Sequence, residues 1–409
     1  MVRDPAAAAS TVRYAKKREA IVAAATDVLN RQGVKGMTLA EVAAQVDLNT
    51  TSVTYYFRKK EDLAAACFLA GIERITDMIR EALRESGPRA RIAKFTDLFF
   101  QRHAQRRGGE GAPLVQFLDI RTLEEPHLGI VNEAYAGMVR GARDLFTGGD
   151  RVFDRNALHA RTYLLLEHVF WSASWLNRYD VEDYPRVRDR LIDVMLQGFA
   201  AHPGAWPPHL IGEDQLGLPE ARDTARETFL IASTRLINRL GYRGASVEKI
   251  SAELNVTKGS FYHHNEAKDE LVVACFDRTH DLVRQVQHHA MAHSGSAYEH
   301  LAAAVATLVQ FQNSDRGPLL RTLALGALPE PMKASVTERS LRITDRFGAM
   351  IADGVADGSI RPIDPAVAAH MLKIALNASA EFGAWVRGAD RAEAVALMAK
   401  PTMLGLLCD

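Results

Sequence analysis

The chain has 409 residues, and its fifty Lys and Arg are balanced by fifty Asp and Glu. With 47% hydrophobic and 24% charged residues it has the composition of an ordinary folded protein, and wholesale disorder is excluded. Zero net charge means that any affinity for nucleic acid or anionic lipid must come from a local patch.

The N-terminus, Met1-Val-Arg-Asp-Pro followed by four alanines, lacks the apolar core of a signal peptide. No later run approaches the ~18 apolar residues of a membrane helix. Three cysteines, Cys67, Cys275 and Cys408, form no C-x-x-C pair and are too few for a disulfide framework. A cytoplasmic protein without a membrane partner is expected.

Sliding the sequence by 208 positions aligns residues 18 to 68 with 226 to 276 without a gap. Arg18-Glu19, Asn30-Arg31, Gly33, Gly36, Lys60, Leu63 and Ala66-Cys67-Phe68 recur as Arg226-Glu227, Asn238-Arg239, Gly241, Gly244, Lys268, Leu271 and Ala274-Cys275-Phe276. Weaker likenesses, such as Pro113-Leu114 with Pro318-Leu319, extend the repeat into two complete copies. The stretch from His202 to Pro219 is rich in proline and glycine and reads as their linker.

In copy one, Ile21, Ala24, Ala25, Val28 and Leu29 share one helical face, and Gly33 supplies a left-handed stop. Thr38 then caps a short helix, with Glu41 completing a capping box. Asp47-Leu48-Asn49 turns the chain, and Asn49 caps a third helix from Thr50. Copy two repeats the pattern with Phe229, Ala232, Ser233, Leu236 and Ile237, then Gly241 and Ser246. Two short helices across a three-residue turn predict a helix-turn-helix in each copy.

These segments resemble the tetracycline-repressor (TetR/AcrR) family of transcription regulators, twice over. The likeness rests on Gly33-Val-Lys-Gly36-Met-Thr38, Val42-Ala43, Tyr55-Tyr56-Phe57 and Lys60-Glu-Asp-Leu63 in copy one. In copy two it rests on Gly241-Tyr-Arg-Gly244-Ala-Ser246, Ile250-Ser251, Phe261-Tyr262-His263-His264 and Lys268-Asp-Glu-Leu271. Thr54 stands where the family usually has a tyrosine, and Asn265 where it usually has phenylalanine.

The resemblance implies an all-α fold of two tandem units. The expected parts are a basic arm at 1–15, a helix-turn-helix domain at 16–62, a helical regulatory domain at 63–200 and a linker at 201–220. A second helix-turn-helix domain at 221–270 and a second helical domain at 271–409 follow. The last two helices of each copy, near 155–178 with 184–200 and 365–387 with 390–407, are expected to pair as an intramolecular pseudo-dimer. Whether the whole chain associates further stays open.

The resemblance also implies a double-stranded DNA operator as partner. Thr38, Tyr56 and Lys60, with Ser246, Tyr262, His264 and Lys268, are expected on the backbone; Thr50, Thr51, Ser52 and Tyr55, with Lys258, Gly259, Ser260 and His263, on base edges. Because the two reading helices differ, the operator should not be palindromic. The alternative is that one copy reads DNA while the other is a scaffold. Residues 1 to 60 hold ten basic against five acidic residues, Arg13, Lys16, Lys17 and Arg18 clustering before the apolar face, so copy one should carry more of the salt dependence.

In the family a small-molecule effector releases the repressor from DNA. Phe95, Phe99, Phe117, Phe170, Trp171 and Trp175 favour a hydrophobic or aromatic effector in copy one, with core packing as their ordinary role. Without a phosphate loop, a nucleophile elbow or a complete metal-ligand set, no catalytic residue, cofactor or metal is assigned.

Overall fold

The computed structural model describes residues 5–202, 206–216, 224–253, 268–382, 386 and 390–408. Among these the fold is all-helical apart from one antiparallel bridge, Ala200 with Ile360. None of the described helices is long and apolar enough to cross a membrane. The chain divides into two compact units, Met1–Ser86 with Ala90–Leu145, and Gly87–Arg89 with Phe146–Asp409.

The first unit opens with α1 (Pro5–Gly36), interrupted at Gly33 where φ is 70°. The helix thus runs back through the sequence expected as an arm, and Arg13, Lys16, Lys17 and Arg18 lie exposed on it. Ile21, Ala24, Ala25, Val28 and Leu29 are all buried, as their spacing predicts. Helices α2 (Leu39–Gln45) and α3 (Thr50–Tyr56) follow, and Val42, Ala43 and Val53 face the core. Helices α4 (Lys60–Ala82), α5 (Gly87–Arg107) and α6 (His127–Arg143), with a 3₁₀ turn at Phe117–Thr122, complete copy one as far as Leu145.

The second unit holds the last two helices of copy one, α7 (Arg155–Leu176) and α8 (Tyr184–Gln197), together with copy two. The compact boundary therefore falls at Leu145/Phe146, ahead of the proline-rich linker. Copy two runs through α9 (Thr224–Gly244), α10 (Val247–Glu253), α11 (Lys268–Ala292), α12 (Ala297–Gln312), α13 (Glu330–Ala356) and α14 (Pro365–Ser379). It closes with α15, built of Arg391–Ala394, a π-helical turn Val395–Ala399, and Lys400–Leu404. The described part of the linker is folded onto this unit. Ile211 and Leu216 are buried, and Ile211 N donates to Thr307 Oγ1 at 3.0 Å.

The end of copy one and the end of copy two hold one another reciprocally. Phe199 N donates to Met403 O at 2.8 Å, and Leu406 N donates to Met195 O at 2.7 Å. Gly198 and Gly405, both at positive φ, lie at the crossing; a Cβ on Gly198 would stand 2.4 Å from Leu404 C, and one on Gly405 2.6 Å from Leu196 O. Only glycine permits backbones this close. Around them Arg361 Nη2 pairs with Asp193 Oδ2 at 3.0 Å, Arg190 pairs with Asp364, and α7 packs along α14.

Candidate nucleic-acid interface

Local capping builds the first helix-turn-helix. Thr38 Oγ1 accepts from Glu41 N at 3.2 Å, and Asn49 Oδ1 accepts from Ser52 N at 2.7 Å, so orphan donors at two helix starts are satisfied within one turn. Thr50 and Thr51 are exposed at the start of α3, Ser52 and Tyr56 are half-buried, and Tyr55 is 75% exposed. Thr54 turns its hydroxyl back to Thr50 O at 2.9 Å. The ring of Phe57 is buried, with the Arg18 guanidinium 5.1 Å from its centroid.

Tyr14 on α1 lies against both tyrosines of α3. Its centroid is 4.7 Å from that of Tyr56 and 6.2 Å from that of Tyr55, and Tyr55 meets Tyr56 edge-on at 5.2 Å. The exposed Tyr55 and the half-buried Tyr56 are thereby held in place by α1. The sequence offers no spacing rule for this contact, because Tyr14 precedes the repeated segment. Lys60 donates its ammonium to Lys35 O at 3.0 Å, closing the turn after α1 and keeping further N–H donors.

In copy two, Ser246 Oγ accepts from Lys249 N at 3.3 Å and caps α10. Lys268 repeats the role of Lys60: its ammonium donates to Tyr242 O and lies 4.1 Å from the Tyr242 ring centroid. Lys258, Gly259, Ser260, Tyr262, His263 and His264 lie outside the described residues, as does Trp385.

In each copy an asparagine spans a strap. Asn30 Nδ2 donates to Leu114 O and Asn30 Oδ1 accepts from Gln116 N, both at 2.9 Å. In copy two, Asn238 Nδ2 donates to Leu319 O at 2.9 Å and its Oδ1 accepts from Arg321 N at 3.0 Å. The recurrence of Asn30 as Asn238 beside an apolar face was the only signal for this clamp. The second strap continues into the helices: Thr322 N donates to Asn377 Oδ1 at 3.1 Å, and the Arg321 guanidinium bonds the Glu381 carboxylate and lies 4.0 Å from Glu167 on α7. Tyr163 donates its hydroxyl to Glu381 Oε2 at 3.2 Å. Burial pushes the Glu167 carboxyl up to about 7, although Arg321 opposes the shift.

Of the aromatic residues expected at an effector pocket, Phe95 and Phe99 are buried on α5, and the half-buried Phe117 meets Tyr135 at 5.3 Å in the first unit. Phe170, Trp171 and Trp175 belong to the second unit, where Trp175 stacks flat on His370 of α14 at 5.1 Å. Cys67 and Cys275 are buried donors to Val22 O and Leu230 O, and burial pushes both thiols up to about 12, far from reactive thiolates.

The family model for bacterial regulatory proteins of the tetR family matches residues 21–67 and again 229–275. The chain belongs to the TetR family. A model of the tetracyclin repressor-like C-terminal domain matches residues 294–387 of this TetR-family regulator. The uncharacterized HTH-type transcriptional regulator YhgD of Bacillus subtilis (strain 168) is 25% identical over 153 residues, 36% of this chain and 79% of that protein. The transposon Tn10 TetC protein of Escherichia coli is 42% identical over 48 residues, 12% of this chain and 24% of that protein. Among solved structures, AibR in complex with isovaleryl coenzyme A and operator DNA shares 23% identity over 44% of this chain and 97% of its own, with a TM-score of 0.36. As a TetR-family protein with the DNA-binding domain present twice, the chain is a DNA-binding regulator.

Proposed function

We propose that this TetR-family regulator is a repressor whose single chain carries two different reading heads for a non-palindromic operator, and that a small-molecule effector releases it. The observation that carries this reading is the reciprocal contact in the second unit. Phe199 N to Met403 O and Leu406 N to Met195 O join the ends of the two copies in both directions, as a two-fold interface joins two subunits. This favours a pairing made within one chain over one made between two chains.

A two-fold pair of helix-turn-helix units reaches successive major grooves about 34 to 36 Å apart. Thr50, Thr51, Ser52 and Tyr55 differ from Lys258, Gly259, Ser260 and His263, so two unlike half-sites are favoured. Thr38, Tyr56 and Lys60, with Ser246, Tyr262, His264 and Lys268, are assigned to phosphates. Effector and operator are antagonistic by linkage if each favours a different arrangement of the same helices. The strap from Asn238 through Arg321 to Glu381 gives copy two a hydrogen-bonded route between the bundle and its head, with Glu167 at ion-pair distance from Arg321.

Sedimentation of the full chain on a duplex recovered by selection from random oligonucleotides tests this reading. One chain per duplex, protecting two half-sites of different sequence, is expected. Two chains per duplex, or a perfectly palindromic selected site, would refute it in favour of ordinary dimerisation with one copy as scaffold.

A further inference from the structure

Trp206, Pro207, Pro208 and His209 of the linker wall one side of a recess of about 380 Å³, and the corner between α11 and α12 walls the other. That volume lies at the small end of the ~300 to 1,000 Å³ range of small-molecule sites. Packing fixes the linker there: Ile211, which also lines the recess, is buried, and its backbone N–H is bonded to Thr307 Oγ1. Ala290 at the end of α11 and Ala303 on α12, both buried, add only methyl groups to the wall.

The polar groups around this recess are chiefly acceptors. His293 Nδ1 lies 2.7 Å from His289 O, and His300 Nε2 lies 2.9 Å from His293 O. A carbonyl only accepts, so those ring nitrogens carry the protons, and the neutral rings keep His293 Nε2 and His300 Nδ1 as acceptors. The ring of His209 stands 5.6 Å from that of His293, which brings a third imidazole to the same corner from the linker. Glu299 Oε2 accepts from Ser296 N at 2.7 Å and from Ser296 Oγ at 2.9 Å, fixing the carboxylate at the start of α12 and leaving Oε1 to another donor. Those two bonds hold the Glu299 carboxyl below the usual carboxylate range, so it is charged at neutral pH. Among the described residues no lysine or arginine lines the recess, and no three His, Cys, Asp or Glu side chains are grouped to hold a metal ion.

We infer that the recess binds a small organic cation, an ammonium group carried on an apolar or aromatic body, with Glu299 as its counter-charge. The ammonium donates to the carboxylate and to the open imidazole nitrogens, as charge-assisted hydrogen bonds require. Its body lies against Trp206 and Ile211, and an indole face also attracts a cation. None of the aromatic residues expected at an effector pocket lines this recess, and its occupation needs neither DNA nor the repressor reading. The site depends on the tandem arrangement, because a chain with a single copy has no linker to close it.

Thermal unfolding of the full chain at pH 8 and constant ionic strength tests the site, with benzylammonium as the probe and benzyl alcohol, benzoate and zinc ion as comparisons. An ordinary imidazole is neutral at that pH. At ten times its dissociation constant benzylammonium should raise Tm by about 3 to 6 °C, and benzyl alcohol and benzoate should not. Glu299→Gln, which removes the charge and keeps a side chain able to complete the cap on α12, should abolish the rise. Trp206→Leu, which removes the ring and leaves the cap untouched, should weaken benzylammonium binding about two- to fivefold. An equal rise with benzyl alcohol, or an unchanged rise in Glu299→Gln, overturns the proposal. So does the absence of a rise with benzylammonium, and a rise with zinc ion in its place would reassign the imidazoles to a metal.

Discussion

The paired asparagines allow one substitution to be compared in two settings. Each amide uses both its atoms, donating to one strap carbonyl and accepting from one strap N–H. In copy one the strap is partly open: Leu114 is half-buried and Gln116 exposed, so water replaces the lost bonds when Asn30 is removed. In copy two Leu319 is 4% and Arg321 6% exposed, so Asn238→Ala leaves a carbonyl and an N–H unpaired. At about 1 to 1.5 kcal/mol for each such group, Asn238→Ala should cost about 2 to 3 kcal/mol, and Asn30→Ala about 1 kcal/mol. Urea unfolding of the full chain measures both. With a slope of about 2 kcal/mol/M, the affected midpoint should fall by about 1 to 1.5 M for Asn238→Ala and about 0.5 M for Asn30→Ala. Equal losses, or an unchanged midpoint for Asn238→Ala, would refute the assignment of the second strap as the sealed one.

Three further outcomes are expected. Glu167 has a folded pKa of about 7, above its unfolded value, so its contribution to stability is full below about 4.5 and is lost as pH rises through 7. The stability of wild type relative to Glu167→Gln should therefore drop by about 3 kcal/mol between pH 4.5 and 8 in thermal unfolding, and a flat difference would contradict the burial argument. Gly198→Ala places a Cβ 2.4 Å from the Leu404 backbone, so it should cost about 3 kcal/mol or more and loosen the crossing of the two copies, read as faster amide exchange at Phe199 and Leu406. Unchanged exchange there would contradict the close approach. Reversing the charges of the exposed Lys16 and Lys17 should reduce the slope of log affinity against log salt by about 2, and an unchanged slope would remove α1 from the DNA contact surface.

The sequence by itself determined whatever depends on neighbours within a helical turn or on the repeat. The apolar face from Ile21 to Leu29, the caps at Thr38, Asn49 and Ser246, and the duplicated domain were legible because the interacting groups lie three or four residues apart, or 208 apart in register. The sequence placed basic residues before the first apolar face, yet could not show that the helix continues through them to Pro5, since no cap marks a later start. Only the tertiary structure assigned α7 and α8 to the same unit as copy two, folded the linker onto Thr307, and gave Asn30 and Asn238 their partners 81 to 86 residues away. It alone set Trp175 against His370. Such contacts join residues with no fixed spacing: their energy comes from burial and from pairing donors with acceptors, which exist only after distant helices have packed.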